Sequence, residues 1–553
     1  MKKVAKILLF VVLLPIVLVL LLAAAFYLPP IQNWAVQKAT AYASEQTGMQ
    51  ISIESVQLTF PLDLKINGLE VKTPNTKTLN SKSDYLQKST VNGQQSIVKS
   101  QKSTVISVRS LYADIQLLPL FEGQVMVDAL DFNYMELNTG DLIESARVEG
   151  MVKSLSVAAH GIDLRKDFIK LDKAHLKGAD LDITLADSVP EDTTETETLW
   201  KIQADLAQID NSKLRLHGKD LDFSTELKQV KAENSFIDLE NSLYKIAHAE
   251  LHESSFNYSP ITSLSKVSAI VDSIYFCSPK LSAKVVHLKA NENDYGFRVN
   301  DLQAKVEMNE NAISVDGFRL ETRYSNLQFN NLLFSTEVPH KTNLSGLSAE
   351  IGKGDIALFR QYLPSGILEK LPDCVVAKGE FSTNDFTKGG ECWLNIDIPK
   401  CISLDAKGQI SNKSGDLSNI YNYTTLLDTR LDCKNIDFLT QFVAPKILAG
   451  MGIKLPHNLP LKISARLNGS MRSLAVENLS VNIPGHCNLS AKGEVLRLNN
   501  LSDVSISNLS LNFDSQNIDF LTSCIDPKLL AGTGIKIPRG IGVKGTAGIK
   551  VSD

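Results

Sequence analysis

Between Ile51 and Val71 the chain reads ISIESVQLTFPLDLKINGLEV, and the spacing of its apolar residues decides the fold class. Ile51 and Ile53 alternate with polar residues. Val56, Leu58, Phe60, Leu62, Leu64 and Ile66 continue on the other parity, and Leu69 and Val71 resume after Asn67 and Gly68, a turn signal. A period of two marks a half-buried strand, whose successive side chains point to opposite faces. The signature recurs at Leu130, Phe132 and Tyr134, at Leu181, Ile183 and Leu185, and at Leu214, Leu216, Leu221 and Phe223. It returns at Ile313, Val315, Phe318 and Leu320, then at Val504, Ile506, Leu509, Leu511 and Phe513. Asn, Asp, Gly and Ser break the runs every 8 to 12 residues or so, which predicts a mainly β body of about 45 short strands. Stacked at about 4.8 Å, they would reach at most roughly 200 Å.

Two polar stretches interrupt the pattern. Residues 74–104 hold little that could fill a core, and 187–198 is acidic; both read as surface insertions or linkers.

Repeats set the architecture. Asn435–Pro456 reads NIDFLTQFVAPKILAGMGIKLP and Asn517–Pro538 reads NIDFLTSCIDPKLLAGTGIKIP, fifteen of 22 positions identical at an offset of 82 residues. A fainter copy lies near 356–372. Leu404, Ala406, Lys407 and Gly408 correspond likewise to Leu489, Ala491, Lys492 and Gly493. A long repeat of this kind implies an elongated stack of strands punctuated by one helical element per unit. In that element Asp437 or Asp519 is placed to cap the helix. Phe438, Leu439, Phe442 and Val443, and in the second copy Phe520, Leu521, Cys524 and Ile525, form an apolar stripe. Such a helix covers the open face or end of a sheet, or acts as a movable plug over an apolar groove.

The 553 residues carry a net charge of −5, with 43% hydrophobic and 22% charged residues. That balance counts against nucleic-acid binding, which calls for a basic stripe. Seven cysteines without a CxxC form neither a disulfide-dense scaffold nor a zinc or redox motif. The start is different in kind. Residues 7–28 contain no charge and follow Lys2, Lys3 and Lys6, a length that suits a membrane-spanning helix with residues 1–6 in the cytoplasm. The alternative is a signal peptide cut near Ala23, Ala24 and Ala25. Residues 29–48 read as a juxtamembrane helix, with Ile31, Trp34, Ala35, Ala39 and Tyr42 at helical spacing. Trp34 and Tyr42 suit either the membrane interface or packing against the first strands.

Catalytic constellations are sparse. His248 and His252 stand four apart, but in a strand-like run and without the HExxH order. Asp180 and Asp182, like Asp220 and Asp222, face one side of a strand. A carbohydrate-cleaving β-helix would use such a pair for acid and base work, whereas a solvated outer face explains it without chemistry. No metal or cofactor is expected, and the chain does not read as an enzyme.

The anchor, the short helix, the run ISIESVQLTFPLDLKINGLEV, the stretch VRSLYADIQLLPLFEGQVMVDALDFNYMEL from Val108 to Leu137 and the repeated AKG strands together resemble the AsmA/TamB family. The resemblance spans essentially the whole chain and is one of pattern. It implies a protein anchored in the inner membrane of diderm bacteria, with residues 49–553 forming a curled, taco-like β-groove in the periplasm, apolar inside. It further implies binding of phospholipid acyl chains and a role in phospholipid transport to the outer membrane or in its biogenesis. The groove candidates are Leu214, Leu216, Leu221, Phe223, Ile313 and Val315. An assembly factor that recruits outer-membrane β-barrel proteins by strand addition is the alternative, with the carbohydrate-active enzyme third. The chain stops at GVKGTAGIKVSD, in mid-repeat, so a fragment of a longer protein is expected.

Overall fold

A computed structural model describes residues 29–549, apart from 48, 60–62, 73–103, 117, 120–125, 141–145, 164–167, 187–199, 220, 261, 338–339, 363–365, 386–387, 413–422, 441–456, 471, 498–504 and 525–538. Strands make up 76% of it. The expected membrane span and the acidic segment 187–198 lie outside the described residues. Among the described residues no helix is long and apolar enough to cross a membrane. The chain divides into two compact units, Met1–Ser278 and Pro279–Asp553.

The first unit opens on α1 (Pro29–Thr47) and continues as β1 (Gln50–Thr59), β2 (Asp63–Lys72), β3 (Thr104–Ile115), β4 (Met126–Asn138), β5 (Ala146–Asp163), β6 (Phe168–Leu185), β7 (Lys201–Gly218), β8 (Leu221–Asp238), β9 (Leu243–Ser259) and β10 (Thr262–Cys277). Each strand pairs with the next, antiparallel throughout except for β6 and β7, which run parallel. A parallel pair obliges the chain to return to the end it started from, and residues 186–200 make that connection. The polar insertion between β2 and β3 leaves and re-enters at one place, because Thr104 pairs with Lys72.

α1 lies along the outer edge of β1. The Gln32 side chain, buried, donates from Nε2 to the Leu58 carbonyl at 3.2 Å and accepts from the Leu58 amide at 3.3 Å. The Ser44 hydroxyl accepts from the Ile51 amide at 3.0 Å. Backbone groups that an edge strand would otherwise offer to another chain are thereby occupied. Trp34 is 62% exposed.

The second unit comprises β11 (Lys280–Glu292), β12 (Arg298–Met308), β13 (Ala312–Thr322), β14 (Asn326–Ser335), β15 (Thr342–Gly352), β16 (Cys374–Asp385), β17 (Gly389–Ile398), β18 (Ile402–Asn412), β19 (Tyr423–Cys433), β20 (Leu461–Ser470), β21 (Ser473–Ile483), β22 (Cys487–Leu496), β23 (Ser505–Ser515) and β24 (Val543–Ile549). All consecutive pairs are antiparallel. Short helices interrupt the meander: α2 (Lys353–Leu358) and α3 (Ile367–Lys370) after β15, α4 (Ile436–Thr440) after β19, and α5 (Ile518–Ser523) after β23. Because strand direction alternates, all of them fall at the same end of the sheet.

The described residues thus hold 24 strands, not about 45. The expectation failed because β5 to β8 run for 18 residues each and β9 and β10 for 17 and 16. Residues that looked like turns lie inside them. Gly178 in β6, Asn211 in β7 and Asn234 in β8 take left-handed φ values of 64°, 47° and 51° without leaving the sheet.

These residues belong to a crease. In the first unit Gly68, Tyr134, Gly178, Asn211 and Glu253 all have φ between 41° and 64°, and Glu54, Arg109, Lys153 and Lys228 face them on neighbouring strands. At each pair the ladder skips and then resumes, so the line crosses the sheet from β1 to β9. Such a residue rotates the strand and moves its apolar side chains to the other parity. Ala174 and Leu176 precede Gly178, and Ala179 and Leu181 follow it; all four face the same way. A second line, through Asp205, Asn234, Ala247 and Ser273, crosses β7 to β10. For a non-glycine residue the left-handed conformation costs roughly 1–2 kcal/mol. Contacts across the crease offset that cost: the Arg109 guanidinium lies 4.2 Å from the Tyr134 ring centroid, and Lys228 pairs with Glu253 at 3.2 Å.

Candidate functional site

The consequence of the creases is one apolar face per unit. Residues directly opposite in a ladder share a face. In the first unit Leu181 lies beside Leu214, Leu216 beside Phe223, and Phe223 beside Tyr258. The expected groove residues Leu214, Leu216, Leu221 and Phe223 therefore come together on adjacent strands, and the Phe223 and Phe256 rings are 6.5 Å apart. Ile313 and Val315 belong to the second unit. There they lie beside Phe334 and Leu332 on an apolar face that continues through Leu344 to Phe381.

These faces are half-buried, not sealed. Beyond neighbouring strands and the short helices, no element of the described residues packs substantially against them. Ile313, Phe334, Tyr244 and Phe276 remain exposed. The exceptions flank the crease: Ser254 is 0% exposed, Val108 2%, Val152 and Ala179 3%. Gly317, Asn330 and Gly346 repeat the device on β13 to β15, where Phe318 and Phe329 stack at 4.6 Å.

The opposite face is ionic. Arg215 holds Asp180 at 2.7 Å and Asp182 at 3.0 Å, so the carboxylate pair considered for glycoside chemistry is shared by one guanidinium. His248 lies in β9, bonded to Asp272 at 2.7 Å and Glu250 at 3.1 Å, and these carboxylates raise its pKa. Among the described residues no group of three His, Cys, Asp or Glu side chains is arranged so that it could hold a metal ion. A concavity of ≈ 760 Å³ is also on this side, between Trp393, Asp405, Lys407, Asp428, Arg430 and Arg466 of β17 to β20. Its walls alternate positive and negative side chains.

The helices seal the sheet end. Ile436 of α4 is buried with Cys433, Leu461 and Ile483, and Leu439 and Phe520 pack on the same cluster. Phe520 also stacks on His486 at 4.6 Å; Phe438 and Leu521 are half-buried. Phe442, Val443 and Ile525 lie outside the described residues. The cap is not the expected aspartate. Asn435 Oδ1 accepts from the Asp437 amide, and Asn517 Oδ1 from the Asp519 amide, both at 2.9 Å. The aspartates instead hold the returning chain. Asp437 bonds His457 at 2.8 Å and the Asn458 amide at 3.1 Å, and Asp519 the Gly540 amide at 3.1 Å. His457 is the main reason the Asp437 carboxyl titrates below the usual carboxylate range.

Sequence reasoning found the apolar face but missed the creases, although the parity slip between Ile53 and Val56 was their signal. It also missed Gln32, whose role has no local signature. No family model matches the chain, and no curated protein is similar enough to count as a match.

Proposed function

We propose that this protein handles lipid in the cell envelope. Anchored in the inner membrane through residues 7–28, it carries acyl chains of phospholipid on its apolar faces in the periplasm and supports phospholipid transport to, or biogenesis of, the outer membrane. The observation that carries this reading is the parity reversal at every crease, which keeps long strands apolar on one side and ionic on the other. An unpartnered oily surface of this extent needs an occupant. Each CH₂ shielded from water contributes roughly 0.8 kcal/mol, so even a partly covered acyl chain gains several kcal/mol. Recruitment of β-barrel proteins by strand addition is less well supported, because α1 already occupies the outer edge of β1.

Photo-crosslinking amino acids placed one at a time at Leu216, Phe223 and Ile313, and at Ser224 and Ser314 on the ionic side, test it in cells. Phospholipid adducts are expected at the first three positions and not at the serines. No adducts, or equal adducts on both faces, would sink the reading.

A further inference from the structure

The three helical elements differ in what lies beneath them. Under α4 the space is filled by Cys433, Ile436, Leu461 and Ile483. Under α2 a cavity of ≈ 210 Å³ remains, where Ile356 and Phe359 face Leu320, Leu327 and Ile351 of the apolar surface, with Phe297 at one side. Three of the four polar residues in its wall, Thr322, Ser325 and Asp355, are bonded to one another. Asp355, buried, accepts from the Thr322 hydroxyl and from the Ser325 hydroxyl at 2.6 Å. What is left to a ligand is hydrocarbon. The volume falls below the roughly 300–1,000 Å³ of pockets that swallow whole small molecules, so it suits the end of one chain.

Two arginines stand next to lining residues in the chain: Arg323 follows Thr322, and Arg360 follows Phe359. Both are exposed, and neither has an ion-pair partner among the described residues. The Arg323 guanidinium rests 5.1 Å from the Tyr324 ring centroid. Beside them the Tyr295 ring stacks on Phe359 at 5.7 Å and its hydroxyl meets that of Tyr362 at 3.1 Å. Aromatic rings with wet hydroxyls beside an oily slot, and guanidinium groups without ion-pair partners one residue along the chain from its lining, match a ligand with an apolar tail and an anionic head.

We propose that the slot between α2 and β13 to β15 binds the tail of a single-chain anionic amphiphile, a fatty acid or a lysophospholipid, with its head at Arg323 and Arg360. This rests on the reading that the apolar faces carry acyl chains, and names one site and its head-group charge.

The full chain in phosphatidylcholine nanodiscs is titrated with the fluorescent fatty acid cis-parinaric acid and with its methyl ester, each measured over empty discs. The acid should bind at least tenfold more tightly than the ester. Arg323→Gln with Arg360→Gln, both surface changes, should abolish that preference, and Ile356→Trp, which fills the slot, should remove binding of both probes. Competition identifies the source: stronger displacement by lysophosphatidylglycerol points to a phosphate head, and stronger displacement by oleate to a free carboxylate. Equal binding of acid and ester to the unaltered protein, or unchanged binding in Ile356→Trp with an unchanged melting curve, overturns the proposal. Crosslinks at Leu216 and Phe223 are read in the same variants. Their persistence separates failure of the slot from failure of the wider lipid reading.

Discussion

Asp355 shows how much one side chain can fix. Its carboxylate gathers the Thr322 and Ser325 hydroxyls, and the Gly352 amide in turn donates to Ser325 Oγ at 3.1 Å, so α2 is tied to the turn after β13. Asp355→Ala removes the carboxylate that both hydroxyls donate to, the buried one of Thr322 and the half-buried one of Ser325, and should destabilise the second unit by about 1–3 kcal/mol, read as a lower denaturation midpoint. His248 makes a different prediction. Its pKa is raised by Asp272 and Glu250, the two carboxylates that face it, so the folded state favours the imidazolium. The stabilisation is full below the ordinary histidine pKa of about 6.5 and is lost as pH rises through the elevated value. The melting-temperature gap between the unaltered protein and His248→Asn should therefore be widest near pH 5.5 and close in mildly alkaline buffer. A gap independent of pH would rule the ion pairs out as its cause.

At the scale of the element, the crease explains both what was readable in the sequence and what was not. Alternation in Ile51 to Val71 identified the strands and showed the change of parity between Ile53 and Val56, but Asn67 and Gly68 read as a turn, whereas Gly68 lies inside β2 opposite Glu54. On β4, β9 and β10 the same slip is made by Tyr134, Glu253 and Lys266, residue types that rarely adopt φ above zero, so nothing local announces it. Asn211 and Asn234 were legible only as turns, since a left-handed asparagine inside a strand and one in a hairpin look alike. The capping asparagines were hidden for a related reason: in NIDF both Asn and Asp can cap, and only the position of the returning chain assigns the roles. Gly178 tests the crease itself. A Cβ there would lie 2.5 Å from the Lys153 side chain at a φ of 64°, so Gly178→Ala should cost roughly 1–2 kcal/mol, whereas Asn211→Gly should be neutral or mildly stabilising. Equal melting temperatures for both variants would show that the line carries no conformational demand.

For the whole molecule, division into two compact units predicts that unfolding is not a single two-state event. Calorimetry should resolve two transitions, with Gly178→Ala moving one and Asp355→Ala the other; a single transition shifted by both would refute it. The guarded edge of β1 predicts a change in assembly. Gln32→Leu removes both bonds to Leu58, and light scattering should then detect self-association absent from the unaltered protein. That edge also has a meaning for biosynthesis. In the first unit α1 and β1 are made before β2 to β10, and with the outer side of β1 held by α1 at Ile51 and Leu58 each later strand of that unit meets one open edge instead of two. Strand order in that unit then copies the order of synthesis, and its repetitive sheet is spared the choice of where to begin.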